Sequence, residues 1–111
     1  MDRAVAVILT TVPQDYDWES LARDAVATSL AACIQCDAPL QSVYSWQGQI
    51  STDTERRLVI KTSQACVQPL YEFVRARHPY ELPQWIVLRG EASESYAAWL
   101  HGLTGTRTND Q

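Results

Sequence analysis

Residues 4–10, from Ala4 through Val5, Ala6, Val7, Ile8 and Leu9 to Thr10, make an apolar run rich in Val and Ile. That pattern predicts a central strand. Thr11 to Pro13 ends it, and Asp15 or Asp17 then stands where a short acidic side chain can cap a helix. Trp18, Leu21, Ala22, Ala25 and Ser29 recur at helical spacing and form one narrow face of mostly small residues, suited to close packing on a sheet. From Ala31 to Trp46 the pattern is extended, with Asp37-Ala38-Pro39 as a bend or bulge. Gln47-Gly48 supplies a turn, and Glu55 to Thr62 predicts the returning strand of a long β-hairpin. Ser63 starts a second helix with Val67, Leu70 and Val74 on one face. Pro69 either kinks that helix or opens its regular part. Gln84 to Gly90 predicts another strand, and Ser93 caps a last helix that runs to about Leu100, with Gly102 as its stop.

The order is β-α-β-β-α-β-α. Its first six elements match the split βαβ pattern of a ferredoxin-like α+β sandwich. Two helices on one face of a four-stranded sheet leave the other face bare. Tyr44, Trp46, Trp85 and Trp99 are too many large aromatics for so small a domain to hide, which predicts self-association.

Composition narrows the function classes. A chain of 111 residues with 46% hydrophobic content fits one domain, placed at residues 1–104, with residues 105–111 as a disordered polar tail. No apolar run approaches the length of a membrane span. The N-terminal run is short and not led by a basic cluster, so it reads as a strand rather than a signal and points to the cytoplasm. Net charge is −4 and Lys61 is the only lysine, which argues against a nucleic-acid groove. Cys33, Cys36 and Cys66 cannot all pair within one chain, and in a cytoplasmic setting they stay reduced.

The segment His78-Pro79-Tyr80-Glu81-Leu82-Pro83 carries the strongest local signal. Pro79 and Pro83 push His78 and Leu82 out of helical dihedrals. A stiff connector results, able to hold an imidazole and a phenol in fixed directions; its plainer reading is a clean helix stop. Cys33-Ile34-Gln35-Cys36 has dithiol spacing but enters a strand, where residues three apart face opposite ways unless a bulge intervenes. A single such string also lacks the second ligand pair of a structural zinc. Cys33 alone could ligate a soft metal such as Cu(I) beside a partner, and His78 is the better-placed imidazole. His101 is expected to meet the terminal carbonyls of the last helix. Lys61 either snorkels to its strand end or pairs with Glu55, Glu81 or a neighbouring chain's carboxylate. No phosphate loop, Gly-x-Ser-x-Gly or His-x-x-x-His occurs, so no enzyme site assembles. A Cys33 nucleophile would need a base beside it.

Several strings together make the chain similar to the CutA family of divalent-cation tolerance proteins, over roughly residues 5–100. They are Leu30-Ala31-Ala32-Cys33, Ser42-Val43-Tyr44-Ser45-Trp46-Gln47-Gly48-Gln49-Ile50, Glu55, Ile60-Lys61-Thr62, the proline-flanked segment, and Tyr96-Ala97-Ala98-Trp99-Leu100. The resemblance implies a ferredoxin-like fold in a PII-like homotrimer whose hairpins pair across subunits, with no enzymatic activity. It implies metal ligation by Cys33 and His78, with Cys36 as an extra thiol, and copper or another divalent ion as the metal. It also implies an intersubunit cleft gathering Tyr44, Trp46, Glu55, Lys61, Tyr80 and Trp99. The chain departs from the family pattern at Gln35, Gln49 and Gln84. Gln84 stands where the family often has a glutamate, and if it replaces a carboxylate ligand a hard divalent site is weakened. The functional reading is a metal-responsive trimer. Its alternatives are a PII-like sensor of a small ligand in the cleft and a non-catalytic trimeric scaffold.

Overall fold

A computed structural model describes residues 2–105. Strand β1 (Ala4–Pro13) leads to helix α1 (Trp18–Ala27), then to strands β2 (Cys33–Cys36), β3 (Leu40–Trp46) and β4 (Gln49–Thr62). A 3-10 turn at Gln64–Cys66 runs into α2 (Val67–Arg77), followed by β5 (Ile86–Glu91) and α3 (Glu94–Leu103). The sheet order is β2-β4-β1-β5 with β3 also on β4, and every pairing is antiparallel. This is the ferredoxin-like arrangement, with the second strand broken in two.

The break is a one-residue bulge. Between the pairs Cys36↔Leu58 and Leu40↔Glu55 the outer strand passes Asp37, Ala38 and Pro39, while β4 passes only Arg56 and Arg57. Pro39 has no N–H to give the ladder, so the kink falls where pairing is already lost. Arg57 Nε donates to Asp37 Oδ2 at 2.8 Å and Arg56 to the Asp37 carbonyl at 3.3 Å, which pins it. The extra residue also reverses the facing of the strand. Before it, odd-numbered Cys33 lies with Lys61 on the sheet face away from α1 and α2; after it, even-numbered Ser42, Tyr44 and Trp46 lie on that face with Asp53, Ser51 and Gln49.

The main core lies between the sheet and the first two helices. Ile8 and Ile60 from the central strands meet Ala25, Leu70 and Val74, all at most 1% exposed. Val12, Leu21 and Leu58 continue it towards the hairpin. On the opposite face α3 covers only one end, through Ala97 and Leu100 against Val5 and Ala32. The middle of that face stays open, with Ile86 and Leu88 exposed.

Several boundaries differ from the sequence expectation. β4 begins at Gln49, not Glu55, because its polar first half is recruited by pairing with β3. Helix α1 is capped by Asp17, which accepts from the Ser20 N–H at 3.2 Å, and it ends at Ala27. Ser29 lies beyond it with φ +66°, and the Leu30→Ala25 and Ser29→Val26 bonds form a Schellman motif. Pro69 is the third residue of α2 and does not start it; first-turn positions need no intrahelical donor. Gly102 lies within the last turn of α3 instead of stopping it. Gly105 takes the positive φ, +94°, and donates to the Ser29 carbonyl at 3.1 Å. Of the expected tail, residues 106–111 lie outside the described residues.

β4 spans the long axis of the molecule. Its 14 residues extend to about 47 Å at strand rise, against a longest dimension of 49 Å. Its second half is held by β1 and β2, whereas its first half has only β3. Residues 40–54 therefore project as a two-stranded arm, with Val43 and Ile50 at 69% and 78% exposure.

Candidate functional site

Pro79 sets the geometry at the base of the arm. His78 takes extended dihedrals and ends α2. Pairing of β5 with β1 stops at Leu9↔Ile86, and two residues further on the Thr11 carbonyl accepts from His78 Nε2 at 2.7 Å. His78 Nδ1 accepts from the Tyr80 N–H at 3.1 Å. Both ring nitrogens are thus engaged, which sets the Nε2–H tautomer. At the other end of the segment Thr10 Oγ1 donates to the Gln84 carbonyl at 2.6 Å. The proline-flanked connector is therefore tied to β1 at both ends.

Tyr80 is aimed into the sheet by these ties. Its phenol donates to Glu55 Oε2 at 2.6 Å, and Glu55 is only 6% exposed. Desolvation first, and the bond to Glu55 second, hold the Tyr80 phenol well above its usual range, so it remains a donor. Two residues back along β4 Asp53 accepts from Tyr44, and that hydrogen bond raises the Tyr44 phenol as well. Two phenol–carboxylate pairs thus stand side by side. Both phenols and Glu55 line a cleft of about 930 Å³ between the arm and the 79–84 segment, with Trp46 and Glu81 also in its wall. The volume falls within the range of small-molecule sites.

The expected site residues divide into two groups. Tyr44, Trp46, Glu55 and Tyr80 meet at this cleft. Cys33 and Lys61 are cross-strand partners at the far end of the sheet. Beside them is Tyr96 of α3, whose phenol is raised by burial first and by Cys33 second. Trp99 lies on α3 with its ring 5.3 Å from that of Tyr96. Lys61 is six residues from Glu55 on one strand, roughly 20 Å, so the two do not pair within the chain. Among the described residues no carboxylate forms an ion pair with Lys61.

The metal ligands do not assemble within one chain. Cys33 and the Thr11 position that holds His78 are two strands and four residues apart in the sheet, on the order of 16 Å. Cys36 faces α1, packed with the Val12, Leu21 and Leu58 cluster, while Cys33 faces the other way. Among the described residues no group of three or more His, Cys, Asp or Glu could hold a metal ion. His101 departs from expectation too: Nε2 donates to the Ala4 carbonyl of β1 at 2.9 Å, not to its own helix. Cys66 is buried in the 3-10 turn, its thiol 3.7 Å from the Ser29 carbonyl.

Asp53, which accepts from Tyr44 beside the cleft, is the neighbouring residue that sequence reasoning missed. Its signal was the two-residue spacing to Glu55, which means a shared face only once the strand extends back to Gln49.

The His78 arrangement has a consequence for pH. Desolvation lowers the His78 pKa below its usual 6.5, against smaller raising contributions from the Thr11 bond and Glu55. The unfolded chain then binds the proton more readily than the folded one, so stability falls as pH drops through the mid-6 range. His78→Gln should show a flatter dependence between pH 7 and pH 5 in chemical denaturation; an unchanged slope would assign the loss to other groups.

Comparison with known proteins gives one answer. A family model described as CutA1 divalent ion tolerance protein matches residues 6–102. The divalent-cation tolerance protein CutA of Thermus thermophilus is 37% identical over 100 residues, covering 89% of this chain and 97% of its own. The solved structure of the Thermus thermophilus protein matches with a TM-score of 0.86 at 36% identity, over 91% of this chain and 99% of that one. The chloroplastic CutA of Arabidopsis thaliana is 38% identical over 99 residues, 88% of this chain, and this chain spans 54% of its length. The PII-like protein CutA from Nostoc sp. PCC 7120 matches with a TM-score of 0.82 at 29% identity, over 90% of this chain and 97% of that one. The order of elements, the arm, the tethered connector and these likenesses agree, and the chain belongs to the CutA1 divalent ion tolerance family.

Proposed function

We propose that this chain acts as a non-catalytic homotrimer in the divalent-cation tolerance of its family, with the cleft beside the arm as a recognition site for a small ligand. The observation that carries this reading is the convergence of Tyr44, Trp46, Tyr80 and buried Glu55 on one cavity. An aromatic wall with a few fixed polar groups is the usual geometry of small-molecule recognition. The arm, with open strand edges and exposed apolar side chains, is suited to pairing with another subunit. Three unpaired cysteines fit a reducing compartment, which favours the cytoplasm.

Copper binding is the second reading, favoured by the half-buried free thiol of Cys33. Neither His78 nor Cys36 of the same chain reaches it, so further ligands would come from a neighbouring subunit. A thermal-shift panel of small metabolites on the metal-free protein tests the first reading. At least one compound class should raise the melting temperature in wild type and lose that effect in Trp46→Ala. A panel without any hit would sink the cleft reading. Cu(I) titration of the reduced protein tests the second: binding should vanish in Cys33→Ser and persist in His78→Ala. Loss in both variants would restore a shared Cys33–His78 site.

A further inference from the structure

Among the described residues Glu55 is the only carboxylate buried to more than nine-tenths. Tyr80 satisfies one of its oxygens with a neutral hydrogen bond, and no cation of the described chain stands against it. Removing a carboxylate from water is costly unless a positive charge compensates. The surroundings deepen the deficit. Asp53 follows on the same strand face, about 7 Å away at strand spacing. Glu81 lines the same cleft, and no Lys, Arg or His does. Arginines that pair with carboxylates do so elsewhere, at Glu19, Asp37 and Glu72.

The wall adds a second, independent preference. Tyr44, Trp46 and Tyr80 offer aromatic rings to the cavity, and ring faces attract cations. A bare metal ion suits the cleft poorly: among the described residues no group of three donors converges there, and hard divalent ions take six or more oxygens. From this chain's own wall an anion would face Glu55 and Glu81 with no cation beside them.

We infer that the cleft binds a small organic ammonium ion, its charged nitrogen against Glu55 and its carbon body against Trp46 and Tyr44. This rests on the cleft being a ligand site and names the ligand class. Selectivity then follows from charge first and apolar bulk second. The phenols of Tyr80 and Tyr44 keep both carboxylates oriented while the nitrogen enters.

Calorimetric titration of the metal-free full-length assembly tests it, with butylammonium chloride, 1-butanol, sodium butyrate and magnesium chloride at matched ionic strength. Butylammonium should bind saturably and the other three should not. Glu55→Gln, which keeps shape and removes charge, should weaken butylammonium by about ten- to hundredfold. Ser42→Lys, which places a tethered ammonium in the cleft wall opposite Asp53, should abolish binding without depending on the buried position. Binding of butanol or butyrate in preference would overturn the cation inference and leave the cleft reading standing. Failure of all four probes would overturn the cation inference, and the metabolite panel would then decide the cleft reading by itself. Magnesium binding lost in Glu55→Gln would make this a metal site instead. A lysine or arginine of a neighbouring subunit seated on Glu55 in a crystal structure of the assembly would also overturn it.

Discussion

Ile60→Ala should destabilise the protein by roughly 2–5 kcal/mol. Ile60 is fully buried near the C-terminal end of β4, between Ile8 on β1 and Ile34 on β2, and packs towards Leu70 and Val74 of α2. Truncation removes three methyl or methylene groups from a layer closed on every side. The strands are held by their ladders and cannot collapse inward, so most of the cavity persists. Urea denaturation at fixed protein concentration measures the effect, since the proposed assembly would add concentration-dependent stability of its own. Val26→Ala provides the contrast. That helix side chain is 39% exposed and lies away from the arm, and its loss should stay within about 0.5 kcal/mol. An Ile60→Ala cost below about 1 kcal/mol would mean that the layer between sheet and helices repacks freely.

The largest effect on assembly is expected from the arm. Val43→Asp combined with Ile50→Asp should reduce the mass seen by light scattering to that of one chain. Val43 pairs with Thr52 and Ile50 with Ser45, so the two side chains share the arm face opposite Tyr44 and Trp46. Both are exposed in the chain by itself, so two carboxylates cost the monomer little. Inside an interface the same carboxylates would be buried without partners, at several kcal/mol each by the usual desolvation penalty. The asymmetry separates an assembly defect from a folding defect. Far-ultraviolet circular dichroism should stay that of wild type. An unchanged oligomeric mass would remove the arm from the interface and send the search to the open sheet face around Ile86 and Leu88.

Much of the fold was legible because it rests on local signals. The apolar run of β1, the helical face of α1 and the Gly48 turn each declare themselves within a few residues. The Asp37-Ala38-Pro39 bulge was visible for the same reason. The first half of β4 was not. Gln49 to Thr54 has no apolar pattern, and it becomes a strand because β3 folds back along it. Gly102 misled because stopping a helix needs a particular φ, and that is taken three residues later by Gly105. The cleft was partly legible: Tyr44, Trp46, Glu55 and Tyr80 were singled out, yet Asp53 was not. That Cys33 and His78 lie apart within one chain was not legible, for a different reason. Their separation depends on which strands are neighbours and in what register, and residue type carries no trace of that.

β4 has one more consequence, for the order of events during synthesis. β1, β2 and β3 all pair with it, and β1 leaves the ribosome first. The apolar residues 4–10 can find no sheet partner until β4 has been translated, about fifty residues later at the usual several residues per second. For those seconds the nascent chain carries an apolar, β-prone segment unpaired. β5, which closes the other edge of β1, comes later still. Among the described elements helix α1 is the first cover to follow it, and its alanine-rich face offers little area. Yield in the cell should therefore depend on how that interval is shielded as much as on the stability of the finished sheet.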